Sequence, residues 1–157
     1  MQLSKAMDAG PLYYQVPYAL DQTETRPELY HMLGQLGANI LVQQLPAILS
    51  GTLQPTPQND GAATYCRLLT KESSHLDLAS LTPGQAEARI RAHLGFPRTR
   101  LRVGNYDIIV TKAHVVMDAK TPLDLVCQNG AFLSIDELVA PSGRQMTAAD
   151  FLRGHSL

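Results

Sequence analysis

The sequence predicts an α+β protein: one long segment of helical periodicity, a Pro/Gly-rich connection without periodicity, and then short period-two runs separated by turn signals. Residues 12–20 are rich in the Tyr and Val that suit a pleated surface, and Pro17, which cannot donate to a ladder, confines such a strand to a sheet edge. Thr23 and Thr25 supply cap chemistry, and Pro27 suits a first helical turn. Leu29, Leu33, Leu36, Ile40, Leu45 and Leu49 then recur at helical spacing, which predicts a helix over 27–49 that ends at Gly51 and kinks at Pro46. Residues 53–72 read as an extended connection and the best boundary between domains.

Thr82-Pro83 opens a short helix through about residue 94, with Ala86, Ile90 and Leu94 on one face and Arg89 and Arg91 off it. The pattern then switches to period two. Thr99, Leu101 and Val103 alternate with Arg98, Arg100 and Arg102, and Gly104-Asn105 turns the chain into a second strand over 106–110. Further strands are predicted over 122–127 and 131–138, with Asn129-Gly130 as their turn. Thr147 and Asp150 cap a closing helical turn through Phe151 and Leu152. Several short strands with one helix among them predict a small antiparallel barrel of the oligonucleotide-binding type.

Composition narrows the class. A chain 45% apolar and 17% charged sits among ordinary globular proteins. The best apolar run, 38–49, is interrupted by Gln43, Gln44 and Pro46, so no membrane span is read. Two cysteines, Cys66 and Cys127, are too few for a disulfide framework or a zinc site, and no metal is expected. Nothing at the start resembles an export signal, so the cytoplasm is the expected compartment. The net charge of −1 is unevenly spread: residues 1–66 carry −3, residues 67–112 carry +4 and the remainder −2. A basic middle third suits a phosphate-rich partner, and equally an ordinary solvated face. Arg98, Arg100 and Arg102 would stand about 7 Å apart on one strand face, a spacing that suits successive phosphates.

Several short words stand in a telling order: Asp8-Ala9-Gly10-Pro11, Pro57-Gln58, Ala63-Thr64-Tyr65, Lys71-Glu72, Leu76-Asp77, Ile90-Arg91-Ala92, Pro141-Ser142-Gly143-Arg144-Gln145-Met146 and Asp150-Phe151-Leu152-Arg153-Gly154. Each is weak alone. Together they resemble the carboxyl-terminal part of the methionyl-tRNA formyltransferases, and the likeness runs over nearly the whole chain. It implies that residues 1–53 are the end of an α/β, Rossmann-like formyltransferase domain, 54–73 its linker, and 74–157 an OB-like tRNA-binding barrel. By the same resemblance Asp8 is the catalytic aspartate, and Ala9, Gly10 and Pro11 form the loop beside the folate. The formyl donor is 10-formyltetrahydrofolate, the acceptor is initiator methionyl-tRNA in translation initiation, and neither DNA nor membrane is a partner. Arg67, Lys71, Arg89, Arg91, Arg98, Arg100 and Arg102 are the residues expected to meet tRNA.

There are departures. The family places an Asn-x-His pair and a Ser-Leu-Leu-Pro loop upstream of the aspartate, and only seven residues precede Asp8 here. Met1 is therefore expected to be an internal methionine of a longer enzyme, and the chain alone to be inactive unless a complementary amino-terminal fragment joins it; otherwise a monomer is expected. None of the five histidines has the family's context, and all are read as surface or barrel residues. Leu78 stands where the family usually has Trp. Two other readings remain open: a stand-alone RNA-binding module without catalysis, and a related formyltransferase acting on a sugar nucleotide.

Overall fold

The structure, a computed structural model, describes residues 1–157, the side chain of Asn129 excepted. The chain divides into two compact units, Met1–Asp21 with Leu29–Arg67, and Gln22–Glu28 with Leu68–Leu157.

The second unit holds the core. Helix α2 (Pro83–His93) is opened by a reciprocal capping box, in which Gln85 N–H donates to Thr82 Oγ1 at 3.3 Å and Thr82 N–H donates to Gln85 Oε1 at 3.0 Å. Its buried residues, Pro83, Ala86, Ile90 and His93, fall at helical spacing and lie against the sheet. Strands β1 (Thr99–Val103) and β2 (Tyr106–Val116) form the expected hairpin, and Gly104 turns it with φ of +57°. Strand β3 (Asp124–Val126) leads into β4 (Phe132–Val139), followed by β5 (Gln145–Thr147) and helix α3 (Ala148–Gly154).

Strand β4 organises this sheet. It pairs antiparallel with β2 along one edge, and on its other edge β3 meets Phe132–Ser134 while β5 meets Glu137–Val139. Midway along the β2–β4 ladder, Thr111 is stepped over on one strand and Asp136 on the other. Both strands thereby change parity at the same level. Ile108, Val110 and Ala113 of β2 stay on the buried face, as do Leu133, Ile135 and Leu138 of β4. The ladder runs β1-β2-β4-β3 with β5 beside β4, an open antiparallel sheet. Phe151 of α3 is fully buried, stacks on His155 and meets Tyr106 edge-on.

The first unit contrasts with this. Helix α1 (Arg26–Leu49) forms as expected, yet none of its residues is buried, and Leu33, Leu45 and Leu49 of its apolar stripe are exposed. Pro46 sits inside the helix, which closes at Gly51 with φ of +73° as Leu53 N–H reaches Ala47 O at 3.0 Å. The expected strand over 12–20 is absent: its backbone pairing is one bridge, Leu12 with Thr56. Pro11 and Pro17 remove donors at both ends, and no second strand lies beside it. Of the two cysteines, Cys66 is exposed in the extended segment and Cys127 is buried.

Removing Phe151 (Phe151→Ala) is expected to cost about 3–5 kcal/mol by cavity formation. Thr82→Ala should cost about 1 kcal/mol through the lost cap. Denaturant unfolding of the full chain followed by circular dichroism checks both, and equal midpoints for Phe151→Ala and wild type would contradict the packing described.

Candidate functional site

The Asp8 loop lies in the first unit. Asp8 is exposed and adopts φ of +54°, the left-handed region that Asp tolerates better than most residues. Gly10 is buried so tightly that a Cβ would overlap the carbonyl oxygen of Gln2. Gln2 N–H donates to Pro11 O at 2.8 Å, and Leu12 and Thr56 exchange two N–H···O bonds of 2.8 Å each. Gln58 donates both hydrogens of its amide to this loop, at 2.8 Å to Asp8 O and 2.7 Å to Gly10 O. The Asp-x-Gly-Pro word and the Pro-Gln word, 50 residues apart, are thus one substructure. Beside it a cleft of about 560 Å³ is lined by Leu12, Tyr13, Tyr14, Gln58 and Asn59 among others.

The basic residues fall into three groups. Arg100 and Arg102 stand on the exposed face of β1, alternating with buried Thr99, Leu101 and Val103, and face Ile109 and Asp107 of β2. Arg98 does not join them, which corrects the expected row of three. It precedes β1 with φ of +64°, its N–H donating to His93 O at 3.0 Å at the end of α2. Arg89 is exposed on α2, whereas Arg91 is committed: Nε donates to Glu87 at 2.6 Å and Nη1 to the Glu24 carbonyl at 2.6 Å. Arg67 and Lys71 are exposed in the extended segment and just after it. Asp77 caps the turn over Leu78–Ser80, accepting from Ala79 N–H at 3.1 Å.

One histidine departs from the expectation for all five. His93 is buried at the end of α2, with Nδ1 3.3 Å from Thr99 Oγ1. Desolvation, and then the charges of Arg89 and Arg26, hold its imidazole below the usual histidine range. His114 lies 2.9 Å from Asp136, the residue displaced by the step in β4. Among the described residues no group of three or more His, Cys, Asp or Glu side chains is arranged to hold a metal ion, and no helix is long and apolar enough to cross a membrane.

No family model matches the chain. Its sequence is 33% identical over 170 residues to a methionyl-tRNA formyltransferase of Halorhodospira halophila, covering 100% of this chain and 54% of that protein. A second, from Pseudoalteromonas translucida, is 30% identical over 99% of this chain and 52% of its own length. This chain is a relative of the carboxyl-terminal part of the methionyl-tRNA formyltransferases. It spans about half the length of the formyltransferases it matches. Among solved structures, HypX from Aquifex aeolicus superposes with a TM-score of 0.69 at 16% identity, over 98% of this chain and 30% of HypX, a likeness of fold alone. The formyltransferase relationship explains why the Asp8 and Gln58 words sit in one sequence, and the structure adds that they touch. No composition or periodicity signal marks Gln58 as a side chain that bonds to backbone 50 residues away.

Because folding lowers the His93 pKa, the unfolded chain binds the extra proton more readily as acid is added. Its contribution to stability is complete above the ordinary imidazole value of about 6.5 and is lost as pH falls toward the folded value. Denaturant midpoints from pH 8 to 5 should decline on the acid side, and His93→Gln should flatten part of that decline.

Proposed function

We propose that this chain is the aspartate-bearing and tRNA-binding part of a methionyl-tRNA formyltransferase. Formyl transfer moves a one-carbon group from N10 of 10-formyltetrahydrofolate to the amino group of initiator methionyl-tRNA. The bond from the amine nitrogen to the formyl carbon forms, the bond to N10 breaks, the amine gives up a proton and N10 takes one. In this reading Asp8 would orient and charge-stabilise the imidazole of the Asn-x-His pair that the family places upstream, which handles the amine's proton. The observation that carries this reading is the full-length match of the chain to formyltransferases at 33% identity. In it, residues 1–53 complete an α/β formyltransferase domain, 54–73 connect, and 74–157 form an OB-like module. The unburied apolar stripe of α1 supports that division, since such a stripe fits the packing surface of a larger layered domain.

The tRNA assignment rests on Arg100 and Arg102, two guanidinium groups at strand spacing on an exposed face, with Arg67, Lys71, Arg89 and Arg98 as further phosphate contacts. Arg91 contributes by fixing α2 rather than by meeting phosphate.

Binding of the full chain to initiator methionyl-tRNA, followed by filter retention from low to moderate salt, tests the reading. Affinity should fall linearly on a log–log plot, and Arg100→Ala and Arg102→Ala should each lower the slope by about 1 while weakening binding. Binding that ignores salt and both substitutions would end the tRNA assignment.

A further inference from the structure

We propose that Gln58 is the positioning residue of the Asp8 loop, its side chain supplying the bonds that the backbone ladder does not extend to make. The registry of the two segments makes the case. Leu12 pairs with Thr56 through two N–H···O bonds of 2.8 Å, which places Pro11 opposite Pro57 and Gly10 opposite Gln58. The Pro11–Pro57 pair, next to a rung that exchanges both bonds, is a non-hydrogen-bonded position, and beyond it no backbone rung forms between Gly10 and Gln58. The Gln58 side chain continues the ladder, spending both donors of a single amide on the carbonyls of Asp8 and Gly10, at 2.8 and 2.7 Å.

The two accepting carbonyls flank Ala9 and include Asp8's own, so the amide sets the backbone from which the Asp8 carboxylate projects. Asp8 sits at φ of +54°, a left-handed conformation that Asp tolerates and that the bonded carbonyls on either side of Ala9 hold in place. Gly10, pressed on the Gln2 carbonyl, leaves no space for the loop to move toward the amino terminus. The importance of Gln58 to chemistry rests on the reading of Asp8 as the catalytic aspartate; its importance to the loop does not.

The shape of the amide carries a test that simple loss of packing would not reproduce. In Gln58→Glu the volume is kept, but at neutral pH a carboxylate faces two carbonyl oxygens with no hydrogen to offer. Below about pH 4 the protonated acid regains one O–H donor. Amide hydrogen exchange, read by NMR on the full chain and compared with wild type at each pH, follows the N–H groups of Gln2 and Leu12. Gln58→Ala should speed both at least tenfold while the amides of Ile108 and Leu133 in the sheet keep wild-type protection. Gln58→Glu should do the same at pH 7 and return partway to wild type at pH 3.5. Gln54→Ala, which removes a neighbouring amide bonded to Gly51 O at 2.7 Å, should leave Gln2 and Leu12 unchanged. Wild-type exchange at Gln2 and Leu12 in Gln58→Ala, or indifference of Gln58→Glu to pH, would overturn the proposal. A loosened loop in a chain that binds no tRNA would uphold the clamp and remove the functional reading instead.

Discussion

The paired steps over Thr111 and Asp136 are the constraint on which the second unit depends. A one-residue offset in a single strand would turn its apolar side chains to solvent beyond that point. Taken in both strands at one level, the offset leaves the core continuous from Ile108 to Ala113 and from Leu133 to Leu138. Everything else is laid on that surface: α2 crosses β2 and β4, and α3 places Phe151 against the far end. The displaced Asp136 is freed from the ladder and takes up His114.

The two units hold together by different means. The second has a core of aliphatic side chains and one buried phenylalanine, so burial dominates its stability. The first has a helix with no buried residue, and its order comes from directed contacts: the Leu12–Thr56 rung, the Gln58 clamp and the closure after Leu49. Hydrogen bonds exchanged with water return about 1 kcal/mol each, far less than a core does. Local opening in the first unit therefore comes at low free energy, and the sheet of the second is the slower to exchange with solvent.

Local signals were readable where local physics decides. Thr82-Pro83, Gly104-Asn105, and Thr147 with Asp150 each marked an element boundary, because cap and turn chemistry acts within three or four residues. Where partners decide, reading failed. Residues 12–20 have strand composition but only one backbone rung, and Arg98 fits the period-two pattern while its backbone is left-handed. Strand β5 is three residues long, too short for alternation to register. At the site, Asp8 and Gly10 were legible from a motif, whereas Gln58 acts across 50 residues; His93 falls on the same buried face of α2 as Ala86 and Ile90, the face on which Leu94 was expected.

The two thiols differ in a way that bears on how the molecule is observed. Cys127 is buried, and desolvation pushes its thiol above the usual range, which keeps it protonated and unreactive at neutral pH. Cys66 is exposed, one residue from the end of the first unit. A maleimide-bearing fluorophore or spin label will therefore find a single address on the native chain. That address lies one residue before the last residue of the first unit, so one unmutated cysteine reports on that stretch of chain in solution.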